Sequence, residues 1–394
     1  MKIKVAISNV KLKDTGGGVK SVQEVLVNRL KKEFDVTYIG FPLNINYKKT
    51  IVPIKLDVNK SKKKGILLRL ADTKISKRLI RFAFFHSRAF RNRLMNKAEI
   101  DCDVLISNSP YDFSVLERNS KFHVNYKAII FVRHDPYYNF NNFYPGRFIK
   151  DNPFKVVALN SLDYKTLSEA YGEKNTVLIP NGVDSPKVEK YDKKFIESTG
   201  IKPENKVILS LGRLEDTQKG FSFGIKAMAL LKDKYPNLIY IIAGKGQDME
   251  IYRKLVSKYD LEGKVKLLGY VTERQKYSLF GRADIILQPS ARETFGLATL
   301  EAMHFGKPII TTKNEGSIDI IKDGYNGFFA ERNEKDIADK VHKVLSLDKP
   351  KLAEIRKNSL ATAKSFSVER MIRGYIISIK KLSADRKLWK IIKS

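Results

Sequence analysis

The chain has 394 residues, 43% of them hydrophobic and 30% charged, with one cysteine and a formal charge of +31. That length exceeds what one hydrophobic core organises, so two domains are expected, and the apolar content excludes a disordered chain. No stretch approaches the roughly 20 apolar residues that span a bilayer, no signal peptide is expected from the start at Met1, and Cys102 has no partner for an internal disulfide, which fits a cytoplasmic protein.

Short β-branched runs alternate with longer amphipathic stretches. Strands are predicted at 4–8, 36–39, 104–107, 127–132 and 155–158, with helices at 19–32 and 162–171. The alternation then restarts. Strands are predicted at 207–211, 238–243, 265–268, 285–288 and 308–311, with helices at 221–234, 247–259, 272–280 and 297–305 between them. Strands separated by helices of this length imply βαβ units and parallel sheets. Two such series imply an α/β protein of two Rossmann-like, doubly wound domains, expected at 1–183 and 184–370. The turn formers of Ile179-Pro180-Asn181-Gly182-Val183-Asp184 mark the boundary.

One segment interrupts the pattern. Residues 60–97 carry thirteen Lys/Arg and a single acid, Asp72. Within it Ile75, Leu79, Phe82, Ala83, Phe90 and Leu94 recur at helical spacing. Two readings fit: a basic amphipathic helix on an anionic membrane surface, or an apolar face packed on the first domain. The tail 386–393, with Trp389, repeats this chemistry. The positive charge is spread evenly, +16 over 1–185 and +15 over 186–394. It either attracts polyanions or is simply a lysine-rich solvated surface. Basic charge alone gives only non-specific nucleic-acid affinity, and no nucleic-acid motif accompanies it, so no nucleic-acid partner is expected.

Several groups stand where an open α/β sheet binds ligands, at the carboxyl ends of strands. Gly16, Gly17 and Gly18 follow the first strand, as a tight turn or a phosphate loop. Arg213 and Lys219 follow the strand 207–211. Two cations there can neutralise a diphosphate, and with it the charge that grows on a departing nucleoside diphosphate. Gly244 follows the next strand. Glu293 and Glu301 flank a helix start at Phe295, Gly296 and Leu297, where free N–H groups suit a phosphate. A carboxylate can accept hydrogen bonds from two vicinal sugar hydroxyls. The plainer readings are a helix-dipole partner for Glu293 and a solvated face for Glu301. His134 ends the strand 127–132 in a loop rich in Pro and Tyr. The five histidines and one cysteine form no metal-ligand spacing, so no metal is expected.

In this order the pieces resemble the retaining glycosyltransferases of the GT-B fold, family 4. The resemblance runs from Gly16 to about Gly327 and is most specific at Glu293-Thr294-Phe295-Gly296-Leu297-Ala298-Thr299-Leu300-Glu301. Ala302-Met303, Gly306-Lys307-Pro308-Ile309-Ile310 and the link at 179–184 are also similar to the family. Asn314-Glu315-Gly316-Ser317-Ile318-Asp319 departs from it, where the family often has Gly-Gly-x-Pro-Glu.

The resemblance implies two domains facing a central cleft, with a nucleotide sugar, UDP- or GDP-linked, held by the second. Glu301 would bind the ribose, Glu293 the donor hexose, and the amides of Phe295–Leu297 the phosphates or sugar. Gly244 matches the family's loop after the second strand, and Gly17 and Gly18 its first glycine loop. Arg213 and Lys219 would stabilise the leaving diphosphate without metal or cofactor, and His134 would position the sugar. The terminal helix 371–394 would cross back to the first domain. The implied enzyme is a metal-independent, retaining hexosyltransferase, peripheral on the inner face of the cell membrane, acting on a glycan or lipid-linked acceptor. The alternatives are a catalytically inactive scaffold of the same fold and a nucleic-acid-associated basic protein.

Overall fold

A computed structural model describes residues 2–9, 18–40, 51–53, 98–107, 122–125, 128–132, 153–186 and 191–393. Gly16, Gly17, His134 and the basic segment 60–97 lie outside these residues. In the first half the described strands are β1 (Lys4–Asn9), β2 (Asp35–Gly40), β3 (Ile51–Pro53), β4 (Ala98–Asp101), β5 (Val104–Ser107), β6 (Phe122–Asn125), β7 (Ala128–Val132), β8 (Phe154–Ala158) and β9 (Thr176–Leu178). The second half adds β10 (Lys206–Leu211), β11 (Leu238–Ala243), β12 (Val265–Gly269), β13 (Ile285–Gln288), β14 (Ile309–Thr311) and β15 (Gly327–Phe329).

These strands form two parallel sheets, ordered β3-β2-β1-β5-β7-β8-β9 and β12-β11-β10-β13-β14-β15. Counted within its own half, the second sheet runs 3-2-1-4-5-6, the Rossmann order. The first begins the same way once β4 and β6, which pair with each other as a separate ribbon, are set aside. The central strands read as largely apolar runs because both sheet faces are covered. All six residues of β11 are buried, as are all of β7.

The helices supply the covering faces. Helix Gly18–Leu30 buries Val22, Leu26, Val27 and Leu30, one stripe at helical spacing. Helix Phe221–Leu231 buries Phe221, Ile225, Met228 and Leu231. Gly224 lets that helix approach the sheet, since a methyl group there would strike the fully buried Tyr240 ring. The Tyr240 hydroxyl meets Ser210 Oγ at 2.7 Å, and Ser210 donates on to the Leu287 carbonyl at 2.6 Å. Burial drives the Tyr240 pKa upward.

Two compact units result: Met1–Ile179 with Met371–Ser394, and Pro180–Arg370. Their boundary falls ahead of the expected 183/184. The physical reason is that Gly182 lies directly on the Ser367 backbone and Val183 N–H donates to the Phe366 carbonyl at 3.0 Å, both within the second unit. The terminal helix Val368–Lys393 turns Val368, Met371, Tyr375, Ile379 and Leu382 inward.

Lys307 carries a pH signature. Its ammonium donates to the Gly281 carbonyl at 2.8 Å. Burial, with Arg356 nearby, lowers its pKa to about 8. Between pH 8 and the ordinary lysine value of 10.5, the unfolded chain holds a proton that native Lys307 has released. This group's contribution to stability therefore grows as pH rises through that window. The melting temperature of the native protein minus that of Lys307→Met is expected to increase from pH 8 to pH 10. A difference that stays constant across that range rules the effect out.

Candidate active site

The second sheet reverses its winding between β10 and β13, and loops leaving the carboxyl ends of these neighbours open a crevice in folds of this order. The loop after β10 carries Arg213 and then a single helical turn, Asp216–Lys219, closed by Gly220 in the left-handed conformation at φ 64°. Arg213 stays exposed, 3.3 Å from Glu215 Oε1 and donating to Gln218 Oε1 at 3.2 Å. Lys219 is different: its side chain is only 11% exposed and pairs with the Glu293 carboxylate. Its methylenes lie over Gly212, where a Cβ would sit 3.3 Å from Lys219 Cε.

Three anchors fix that helical turn. Asp216 N–H donates to Asp248 Oδ2 at 2.7 Å. The Asp216 carboxylate accepts from Ser222 N–H at 2.9 Å and from Ser222 Oγ at 2.6 Å, capping the helix that follows. Arg332 donates to the carbonyls of Asp216 at 2.9 Å and Thr217 at 3.0 Å, with its guanidinium stacked 5.0 Å from the Phe223 ring. Burial, reinforced by the Asp216 charge, raises the Tyr252 pKa.

The neighbouring loops lock onto this one. Gly244, at φ 153°, places its α-carbon against the Gly212 carbonyl, leaving no room for a side chain. Leu214 N–H donates to Lys245 O at 3.0 Å, and Asp248 N–H to Leu214 O at 3.1 Å. From the β13 side, Ala291 N–H donates to Gln218 O at 2.7 Å, and Gln288 Nε2 to Leu211 O at 3.1 Å.

The loop after β13 presents Glu293 and leads through buried Phe295 and Gly296, at φ 63°, into helix Leu297–Met303. The segment that departs from the family pattern lies against it. Gly316 packs so closely that a Cβ there would come within 2.7 Å of Phe295 N. Asn314 Nδ2 donates to Ser290 O at 3.0 Å, and Asn314 Oδ1 accepts from Gly316 N–H at 3.2 Å.

Glu301, farther along that helix, accepts a hydrogen bond from Lys276 at 2.6 Å; each side chain is 22% exposed. Lys276 stands on helix Glu273–Arg282, started by a capping box of Thr272 and Gln275. Tyr277 beside it donates to Glu273 at 2.9 Å, and its pKa is raised by burial and by that bond. Each carboxylate singled out in the sequence is thus half-sheltered beside its own lysine.

The structure therefore brings Lys219 and Glu293 into contact, ties Gly244 to Gly212, and links Arg213 to the β13 loop through Gln218, whose Nε2 lies 3.5 Å from Arg292 O. Glu301 is not a freely solvated face; it meets Lys276 rather than the Lys219–Glu293 pair. Gly18 opens a helix of the other unit. Sequence reasoning missed Lys276, Arg332, Asp216 and Asn314. Only Lys276 had a local signal, the Thr272-x-x-Gln275 cap that begins its helix. Among the described residues no group of three His, Cys, Asp or Glu stands together to hold a metal ion.

Residues 192–361 match the family described as glycosyl transferases group 1. An uncharacterized glycosyltransferase of Methanocaldococcus jannaschii is 35% identical over 153 residues, 39% of each chain. The phosphatidyl-myo-inositol mannosyltransferase of Mycolicibacterium smegmatis is 28% identical over 172 residues, 43% of this chain and 42% of that one. These alignments span about two fifths of the curated relatives' length. Among solved structures, Anabaena HepE in complex with UDP and glucose aligns over 96% of this chain and 100% of its own, at 18% identity and a TM-score of 0.66. The chain thus has the GT-B fold, and its residues 192–361 match the glycosyl transferases group 1 family.

Proposed function

We propose that the protein transfers a hexose from a UDP- or GDP-linked donor to a glycan or lipid-linked acceptor, with retention at the anomeric carbon and without a metal ion. The observation that carries this reading is the Lys219–Glu293 pair at the switch point of the second sheet. An anionic diphosphate competes with Glu293 for Lys219. Once it binds, Lys219 and Arg213 face the charge that develops on the leaving phosphate. Glu293, released from its lysine, accepts hydrogen bonds from the donor hexose. Glu301 accepts from the ribose hydroxyls in the same manner, beside Lys276. The turn at Phe295–Leu297 offers amides to the phosphates or the sugar. On this reading the two cations do the neutralising work that a divalent ion does in other transferases.

The acceptor reading rests on charge and on a relative. The +31 chain favours an anionic surface, and one similar protein is named for mannosyl transfer to phosphatidyl-myo-inositol. Among the described residues no helix is long and apolar enough to cross a membrane. A peripheral enzyme on the inner membrane face accommodates both facts.

Thermal melts with UDP, GDP and ADP test the donor half. UDP or GDP is expected to raise the melting temperature, reflecting about 2.7 kcal/mol of stabilisation at a hundredfold excess over Kd. If none of the three stabilises the protein, the donor-site reading fails. Stabilisation without turnover of any sugar nucleotide identifies a scaffold that kept the site and lost the chemistry. Proton NMR of the first-formed product reads the anomeric outcome.

A further inference from the structure

The turn that presents Glu293 is held from behind by an aromatic contact that the chemistry above does not use. Phe295 is 3% exposed, and its ring meets Phe366 edge-on, with centroids 5.8 Å apart and planes at 66°. Such edge contacts stabilise a structure beyond the area they bury. Phe366 belongs to neither the sheet nor the site helix. It ends helix Lys349–Ser365, and its carbonyl accepts the Val183 N–H at 3.0 Å. The next residue, Ser367, carries the backbone on which Gly182 rests. Residues 182–183 and 366–367 therefore form one seam. That seam is also where the polypeptide enters and leaves the second unit, at Ile179–Pro180 and at Arg370–Met371.

The other end of the site helix reaches the same seam. His304 follows Leu297–Met303 directly, and its Nδ1 lies 3.4 Å from Ser185 Oγ. The short helix that carries Glu301 is thus tied at both ends to the linking segment, through Phe295 and Phe366 at its start and through His304 and Ser185 at its finish.

We infer that Phe366 is a positioning residue of the donor site: through the Phe295 ring it sets the turn that aims Glu293, and so couples that turn to the segment joining the two units. The inference rests on the donor-site reading of Glu293–Leu297. It predicts an effect on the chemical step larger than the effect on folding. A displacement on the order of 1 Å at a reacting group can cost about a hundredfold in rate, whereas an aromatic contact at the edge of a core costs stability modestly.

The experiment uses the full chain with three substitutions, Phe366→Ala, Phe366→Leu and Phe366→Tyr. Hydrogen exchange is followed in peptides covering 291–303, with the β11 peptide 238–243 as an internal reference. Turnover of the accepted sugar nucleotide is followed alongside, normalised to folded protein. Phe366→Leu keeps most of the volume and removes the ring edge, so it remains informative if Phe366→Ala does not fold. Faster exchange in 291–303 with an unchanged reference, and a kcat about tenfold lower at saturating donor with KM little moved, are expected for Phe366→Leu. Phe366→Tyr, which keeps the ring, is expected to restore both. Unchanged exchange in 291–303, or a kcat per folded molecule equal to that of the native protein, overturns the coupling. If the native protein binds no nucleoside diphosphate, the donor-site reading falls by itself, and the exchange measurement alone decides the tether.

Discussion

Lys219→Ala and Glu293→Ala are each expected to lower kcat/KM for the donor by about a hundred- to a thousandfold, the range seen when one preorganised charge partner of a transition state is removed. Lys219 cannot be replaced by the nearest exposed cation. Its ammonium is delivered through a nearly buried stem lying over Gly212, while Arg213 stays in solvent beside Glu215 and Gln218. Removing the lysine leaves Glu293, 28% exposed, without its counter-charge and facing an incoming diphosphate of the same sign. Removing the glutamate frees the lysine but takes away the acceptor for the sugar hydroxyls. Because the two side chains share one contact, their effects should not add, and Lys219→Ala/Glu293→Ala should lose far less than the product of the single losses. Initial rates with the nucleotide sugar that stabilises the native protein measure this. Near-normal rates in both single variants remove the roles given to them.

Gly244→Ala is expected to be the most damaging single-atom change in the second unit. The added methyl would land on the Gly212 carbonyl oxygen, and φ at 153° lies where side chains are rarely tolerated. Strain of this kind costs about 1–3 kcal/mol, and forcing two backbone segments apart costs a similar amount. In a unit of this size the sum corresponds to roughly 10 °C in melting temperature. The two strand ends that part are those of β10 and β11, so nucleotide stabilisation should vanish with it. Gly263→Ala, where a Cβ would meet nothing within 4 Å, is the control and should melt as the native protein does. Calorimetry that finds both variants within a degree or two of the native value contradicts the close approach.

Most strands could be read from the sequence because each is a short run of mainly apolar residues. Residues 238–243 and 285–288 coincide with β11 and β13 for that reason. Their order in the sheet could not be read, since it depends on pairings between residues tens of positions apart, such as Leu209 with Ile286. The strands that escaped notice are short, as β9 and β15 are, with three residues each and too few side chains to establish a period. Helices Glu334–Leu345 and Lys349–Ser365 also went unnamed, though Asn333 and Asp348 cap them with side-chain hydrogen bonds at 2.9 and 2.8 Å. At the site, residue types were legible and partnerships were not. Nothing near Lys219 announces Glu293, and the cap that starts the helix of Lys276 does not name the acid this lysine meets until the fold sets it 2.6 Å from Glu301.

The division of the chain has a consequence for its synthesis. Every residue of Pro180–Arg370 has left the ribosome before Tyr375, Ile379 and Leu382, almost completely buried side chains that belong to the first unit. Nascent domains generally fold as soon as their own residues are available. Although it is encoded first, the amino-terminal unit must wait, part of its core still open to water, while the segment made after it reaches its native packing.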